Sequence, residues 1–205
     1  MNECKIAKST LGRIPAYMEF LSNLPTDKNN ISSAYIAKGL NLGEVLVRKD
    51  LAAICGKGKP KVGYDVCELS DSMKKLLFKK SGNTIVVGAG KLGRAILDYE
   101  GFSKFDISIL AAFDKQCNGN EISLSGKPIM PMDRLADFCR ENSVRVAIIA
   151  VPANQAQAVC DILCENNIKG ILSFASEKLV TPDDVIVQYE NIAVSLANLK
   201  LKAIS

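Results

Sequence analysis

Gly88-Ala89-Gly90-Lys91-Leu92-Gly93 is the run in this sequence best suited to hold a phosphate. A lone Gly-x-Gly-x-x-Gly match is weak, but this one follows an apolar strand candidate at residues 84–87 and opens a helix candidate at 91–98. In that setting Gly88 makes a tight turn, Gly90 lets the backbone approach a pyrophosphate, and Gly93 lets the helix pack close to the sheet. The helix amides then face the phosphates. A second apolar segment ends in Phe113-Asp114, 26 residues beyond Gly88. A carboxylate there accepts hydrogen bonds from ribose hydroxyls and repels a 2′-phosphate, favouring NAD(H) over NADP; Lys115 beside it blunts the discrimination. Val151-Pro152 ends a third apolar segment, on the sheet edge where ligands bind, and is expected along the same cofactor.

The chain lacks the groups that would use such a nucleotide as a reagent. It has no histidine, and none of Tyr17, Tyr35, Tyr64, Tyr99 and Tyr189 is followed four residues later by lysine, the pairing short-chain reductases use. With no acid–base pair at the strand ends, no catalytic residue is assigned, and the nucleotide is expected to act as a signal. The seven cysteines are scattered without a Cys-x-x-Cys pair, so neither a metal site nor a disulfide framework is expected. Cys160 and Cys164 share one helix face, as core residues do.

A second kind of chemistry sits in the first 80 residues. Lys and Arg outnumber Asp and Glu there by 14 to 8, against 12 to 14 in the remainder. A basic head on a near-neutral body suits a nucleic-acid contact confined to the head. Pro15 suits a helix's first turn, ahead of an apolar face of Tyr17, Met18, Phe20, Leu21 and Leu24. Ser32 and Ser33 are N-cap candidates for a helix carrying Tyr35, Ile36, Ala37 and Leu40. Asn41-Leu42-Gly43 turns the chain into a further helix, from about Glu44 to Ile54. Its Val47, Leu51 and Ile54 face inward and its Arg48 and Lys49 outward. Two short helices joined by a tight turn form the helix-turn-helix layout. The following segment, 56–64, sets Lys57, Lys59 and Lys61 among glycines, suiting a wing hairpin over a phosphate backbone. Arg48, Lys49, Lys57, Lys59 and Lys61 are therefore the expected contacts to double-stranded DNA. A linking helix is expected at 67–80.

From Ser81 onward short apolar strands (84–87, 107–113, 144–151, 170–174, 185–188) alternate with helices (91–98, 133–141, 154–166). That alternation means a doubly wound parallel sheet covered on both faces. The fold class is α/β: a winged-helix domain over 1–80, a Rossmann domain over 81–190, and a terminal helix over 191–205. This last segment is apolar around most of its circumference and must bury more than one face, against its own domain or a second chain. No apolar run is long enough to cross a bilayer, and the opening Asn2, Glu3, Cys4 and Lys5 lack a signal peptide's apolar core. No membrane contact and a cytoplasmic location are expected.

In combination these residues resemble the Rex family of bacterial redox-sensing repressors over nearly the whole chain. The marks are Ser32-Ser33-Ala34, Val47-Arg48-Lys49-Asp50-Leu51, Val62-Gly63-Tyr64, residues 88–93 with Tyr99, Ala112-Phe113-Asp114, Val151-Pro152-Ala153 and Ile168-Lys169-Gly170-Ile171-Leu172. The resemblance implies a homodimer with terminal helices swapped between Rossmann domains. It also implies operator binding when NAD⁺ dominates, release when NADH binds, DNA contact through Arg48 and Lys49, and Tyr99 near the nicotinamide. This sequence departs from the family where Ala52-Ala53-Ile54-Cys55 replaces Ser-Tyr-Phe-Gly, and where Pro60 and Lys61 replace an arginine and a glycine of the wing. Glu19 and Asn191 stand where an intersubunit Arg–Asp ion pair belongs. Two alternatives stay open: a DNA-binding paralogue with lost or altered redox switching, and an NAD-dependent oxidoreductase.

Overall fold

The structure, a computed structural model, describes residues 6–78, 82–119 and 121–204. The chain divides into two compact units, Met1–Ser81 and Gly82–Ser205. Cys4, the end of the expected linking helix at Lys79 and Lys80, and the junction at Ser81 lie outside the described residues.

The first unit opens with α1, Lys8–Ser22, in which Pro15 is an interior residue. The helix thus begins seven residues before the position Pro15 suggested. An interior proline costs about 3 kcal/mol through its missing N–H and its clash with the preceding turn. Here Ile14, Tyr17, Met18 and Leu21 are buried while Pro15 faces outward, and four such side chains at about 2 kcal/mol each outweigh that cost. Strand β1 (Asn30–Ile31) leads into α2 (Ser33–Gly39), whose N-cap Ser32 accepts the Tyr35 N–H at 3.1 Å. Asn41 takes a left-handed turn, φ 53°, into α3 (Glu44–Cys55). After the wing loop, β2 (Tyr64–Asp65) pairs antiparallel with β1, and α4 (Val66–Phe78) closes the unit. The β1–β2 ladder was not anticipated, because two-residue strands carry no periodicity to read.

The second unit holds β3 (Asn83–Val87), α5 (Lys91–Leu97), a 3₁₀ turn (Glu100–Phe105), β4 (Ile109–Asp114), β5 (Glu121–Ile122) and β6 (Pro128–Pro131). A 3₁₀ turn then leads into α6 (Leu135–Glu141), followed by β7 (Val144–Ile149), α7 (Ala153–Glu165), β8 (Gly170–Ser173), β9 (Ile186–Tyr189) and α8 (Ile192–Ile204). The sheet order is β5-β6-β4-β3-β7-β8-β9, parallel throughout except for the β5–β6 pair. The expectation of five strands, all parallel, is corrected to seven. β6 is bounded by Pro128 and Pro131, which read as loop punctuation; a proline is tolerated at a strand's first residue. Alternate residues of β3 enter opposite cores: Ile85 and Val87 pack with Phe113, Leu135 and Leu163, and Val86 with Leu97, Ile109 and Ile148. No residue of α8 is buried, and Ile192, Val194, Leu196, Leu199 and Ile204 are all more than half exposed.

Candidate functional site

Chain order leaves β3 for β4 and β6 on one side and returns to β7 on the other, so the strand order reverses at β3. A crevice outside the carboxyl ends of the strands is where such sheets bind ligands. A cleft of about 290 Å³ lies there, lined among others by Gly88, Gly90, Asp114, Val151 and Pro152. Gly88 has φ +101°, and a Cβ on it would strike the Ala150 carbonyl. A Cβ on Gly93 would collide with the Gly88 carbonyl, whereas one on Gly90 would meet nothing within 4 Å. The two outer glycines are thus needed by the protein's own packing. Gly90 leaves open space for a ligand's phosphates, and the residues present fit a dinucleotide.

The peptide at Ala89 is held from both sides. Its N–H donates to Asp114 Oδ2 at 2.7 Å, and its carbonyl accepts from Arg94 Nε at 2.8 Å. The other Asp114 oxygen accepts the Gln116 N–H at 2.9 Å. Each carboxylate oxygen has a second lone pair, so ribose hydroxyls can still be accepted. Arg94 also pairs with Glu121 of β5. At the other end of α5, Asp98 accepts the Ser125 N–H at 2.9 Å and its hydroxyl at 2.6 Å, and Lys127 Nζ donates to the Leu97 carbonyl at 2.7 Å. Hydrogen bonds from Ser123 and Ser125 hold the Asp98 carboxyl down at about 2. The β5–β6 hairpin therefore grips the helix that follows the glycine loop. Sequence reasoning missed Arg94 and Glu121, since nothing in their spacing joins residues 27 apart.

The remaining cofactor candidates separate. Lys91 and Leu92 are exposed in the first turn of α5. Tyr99 does not line the cleft: it is 60% exposed, stacks edge-on against Phe102 at 5.1 Å, and faces a different hollow with Ile107 and Lys127. Burial pushes the Cys139 thiol up to about 11, and burial with the neighbouring Cys164 pushes Cys160 up to about 12, as expected of packing residues.

In the first unit the five basic candidates come together. Arg48, Lys49, Lys57, Lys59 and Lys61 line one groove of about 600 Å³ between α3 and the wing, with no carboxylate among the described lining residues. The wing closes by paired bonds between Lys59 and Gly63, each 2.8 Å, with Lys61 at φ 64° at its tip. A Cβ on Gly63, φ +90°, would strike the Ile31 carbonyl, so glycine is required there. Behind the groove, Asp50 of α3 is 3% exposed and takes four hydrogen bonds from α1. Arg13 grips it in bidentate fashion at 2.6 and 2.9 Å, Tyr17 OH donates at 2.6 Å and Thr10 Oγ1 at 2.8 Å. Burial alone would raise the Asp50 carboxyl, but these donors, Arg13 foremost, hold it below its usual range. Burial and the same bond push the Tyr17 phenol up to about 12. The network fixes the helix that carries Arg48 and Lys49, and its clue was a carboxylate beside apolar Val47 and Leu51.

A winged-helix unit with a carboxylate-free basic groove, joined to a Rossmann unit with a glycine-loop cleft, defines a nucleotide-binding regulator of the DNA-binding class. Residues 5–52 match the family model described as "Putative DNA-binding protein N-terminus", and residues 79–177 match the CoA binding domain. The chain is 39% identical to the redox-sensing transcriptional repressor Rex of Carboxydothermus hydrogenoformans, over 96% of this chain and 95% of that one. It is 36% identical to the Rex of Clostridium kluyveri, over 95% and 93%. The crystal structure of RSP in complex with beta-NAD⁺ and operator DNA superposes with a TM-score of 0.85 at 30% identity, covering 97% of this chain and 92% of that chain. RSP in complex with beta-NADH gives 0.83 at 28%, covering 97% and 94%. The chain belongs to the Rex family of redox-sensing transcriptional repressors.

Proposed function

We propose that this protein is a transcriptional repressor that grips an operator duplex while NAD⁺ predominates and lets go when NADH binds. The observation that carries the reading is the gathering of five cations in one groove, in a chain whose fold matches RSP bound to beta-NAD⁺ and operator DNA. Arg48 and Lys49 enter the major groove, and Lys57, Lys59 and Lys61 hold the phosphate backbone. In the body, residues 88–93 cradle the NAD(H) pyrophosphate, Asp114 takes the ribose, and Val151 and Pro152 lie along the cofactor. Tyr99, expected near the nicotinamide, stands outside that cleft against Phe102. The division of labour follows the domains: DNA in residues 1–80, nucleotide in 81–190, and self-association through 191–205, whose exposed apolar helix suits a homodimer with exchanged helices. The protein works in the cytoplasm and turns over no substrate. Among the described residues no helix is long and apolar enough to cross a membrane, and no cluster of ligands suits a metal.

The test is DNA affinity measured across NADH/NAD⁺ ratios at fixed salt on a two-fold symmetric duplex. Affinity should fall as NADH replaces NAD⁺. A ligand shifts such an equilibrium only by its differential affinity for the two states, so an unchanged affinity at saturating NADH would remove the sensing function. One observation favours altered coupling as the second reading. Asn191 accepts the Val194 N–H at 3.1 Å, capping its own helix, in the place of an intersubunit aspartate.

A further inference from the structure

We propose that Val45, in the first turn of α3, reads the C5-methyl group of a thymine in the operator's major groove. The inference rests on the reading that the basic groove engages duplex DNA, and it adds a base preference which that reading lacks. At 3.6 residues per turn, positions 45, 48, 49 and 52 share one side of α3. Val47, Asp50 and Leu51, on the opposite side, are buried. Arg48, Lys49 and Ala52 line the groove, and Val45 continues their stripe toward the helix N-terminus with 54% of its surface exposed.

Val45 contributes little to the fold from that position. Valine is a poorer helix former than the unbranched residues, and an exposed one buries no core surface. The stripe's two cations can reach phosphates or guanine edges, but a phosphate contact carries no sequence information. The N-terminal residues of a recognition helix are the ones that meet base edges. An isopropyl group there cannot hydrogen-bond, and the thymine methyl is the one apolar feature that the four bases present in the major groove. Ala52, a half-buried methyl seven residues on, extends the same apolar strip between the cations.

The experiment uses the full-length protein with NAD⁺ and a duplex that the protein itself enriches from a random pool. Each thymine is replaced in turn by deoxyuridine, which removes only the methyl, and Kd is measured at fixed salt. Uracil at one thymine, or at a symmetry-related pair, should raise Kd about fourfold per methyl, the worth of one buried CH₂ group. Val45→Ser should bind the thymine and uracil duplexes alike, and Val45→Thr, which keeps one γ-methyl, should keep the preference. Thermal melting of both variants should match that of the native chain, because the side chain is exposed. Kd values that stay within twofold at every uracil position would overturn the proposal, as would a Val45→Ser variant that still prefers thymine. Failure to enrich any duplex would instead remove the DNA-binding reading, and this proposal with it.

Discussion

Ala89 offers no side chain for chemistry, yet its peptide group sets the shape of the nucleotide loop. Asp114 holds its N–H and Arg94 its carbonyl, and Arg94 is in turn paired with Glu121. Arg94 is thereby a positioning residue, acting on the cofactor through the loop. Arg94→Ala removes the donor that holds the Ala89 carbonyl and should weaken NADH binding. The overall melting temperature should move little, since the Arg94 side chain is nearly half exposed. Isothermal titration would check both, and an unchanged NADH affinity would mean that the loop keeps its shape without the clamp. Asp114→Ala should act differently: it loses NAD affinity and also relaxes the preference over NADP, because the carboxylate that repels a 2′-phosphate is gone. Competition between the two nucleotides separates the two residues. If the Asp114 variant still rejects NADP, the ribose assignment is wrong.

At the level of elements, α3 has a basic side, lining the groove, and an anchoring side, and substitutions on the two should fail in different ways. Arg48→Ala should weaken DNA binding and relax its base preference, whereas Lys59→Ala should weaken binding to all sequences alike and reduce the log–log salt slope by about one; both should leave nucleotide affinity alone. Asp50→Asn removes the negative charge and replaces one of the two oxygens that accept from Arg13, Tyr17 and Thr10 with a donor, and should cost the head about 2–3 kcal/mol in denaturant unfolding. The network also ties the head's stability to pH. The folded carboxyl lies below its unfolded value, so its contribution is present above about pH 4 and is lost as pH falls through the lower folded value. Acid titration should therefore melt the native head, and the Asp50→Asn variant should lack that step. The convergence of the basic side was legible in the sequence, because Arg48, Lys49 and the three wing lysines are local in the chain and need only a helix, a turn and a hairpin to meet. The glycine loop was legible for the same reason. The anchoring side was not: Arg13 and Asp50 are 37 residues apart, and Pro15 argued against a helix long enough to bring Thr10 and Arg13 to Asp50. The β5–β6 hairpin escaped notice because β5 is only two residues long and prolines begin and end β6, and its grip on α5 went with it.

For the whole molecule, α8 is the element whose sequence and surroundings disagree most. Its apolar residues recur around the circumference, and Leu196 and Leu199 are 63% and 61% exposed. A helix this short is marginal alone in water, and most helical stability comes from packing an apolar face. Burying a leucine is worth about 1.5–3 kcal/mol, so several of them covered together supply enough for a stable dimer. An isologous interface built on this helix would bring two heads to one operator, which explains why a two-fold symmetric duplex is the right probe. The decisive variant is Leu196→Asp with Leu199→Asp. If the helix stands free in a monomer, two charges at exposed positions change little, within about 0.5 kcal/mol each. If it is the dimer contact, they place carboxylates in an apolar interface, and sedimentation should show the native dimer becoming a monomer. Affinity for the symmetric duplex should then fall toward that for a single half-site, while NADH binding by the isolated body persists. A native chain that sediments as a monomer would dismiss the dimer, and with it any account of redox control that passes through a partner's helix.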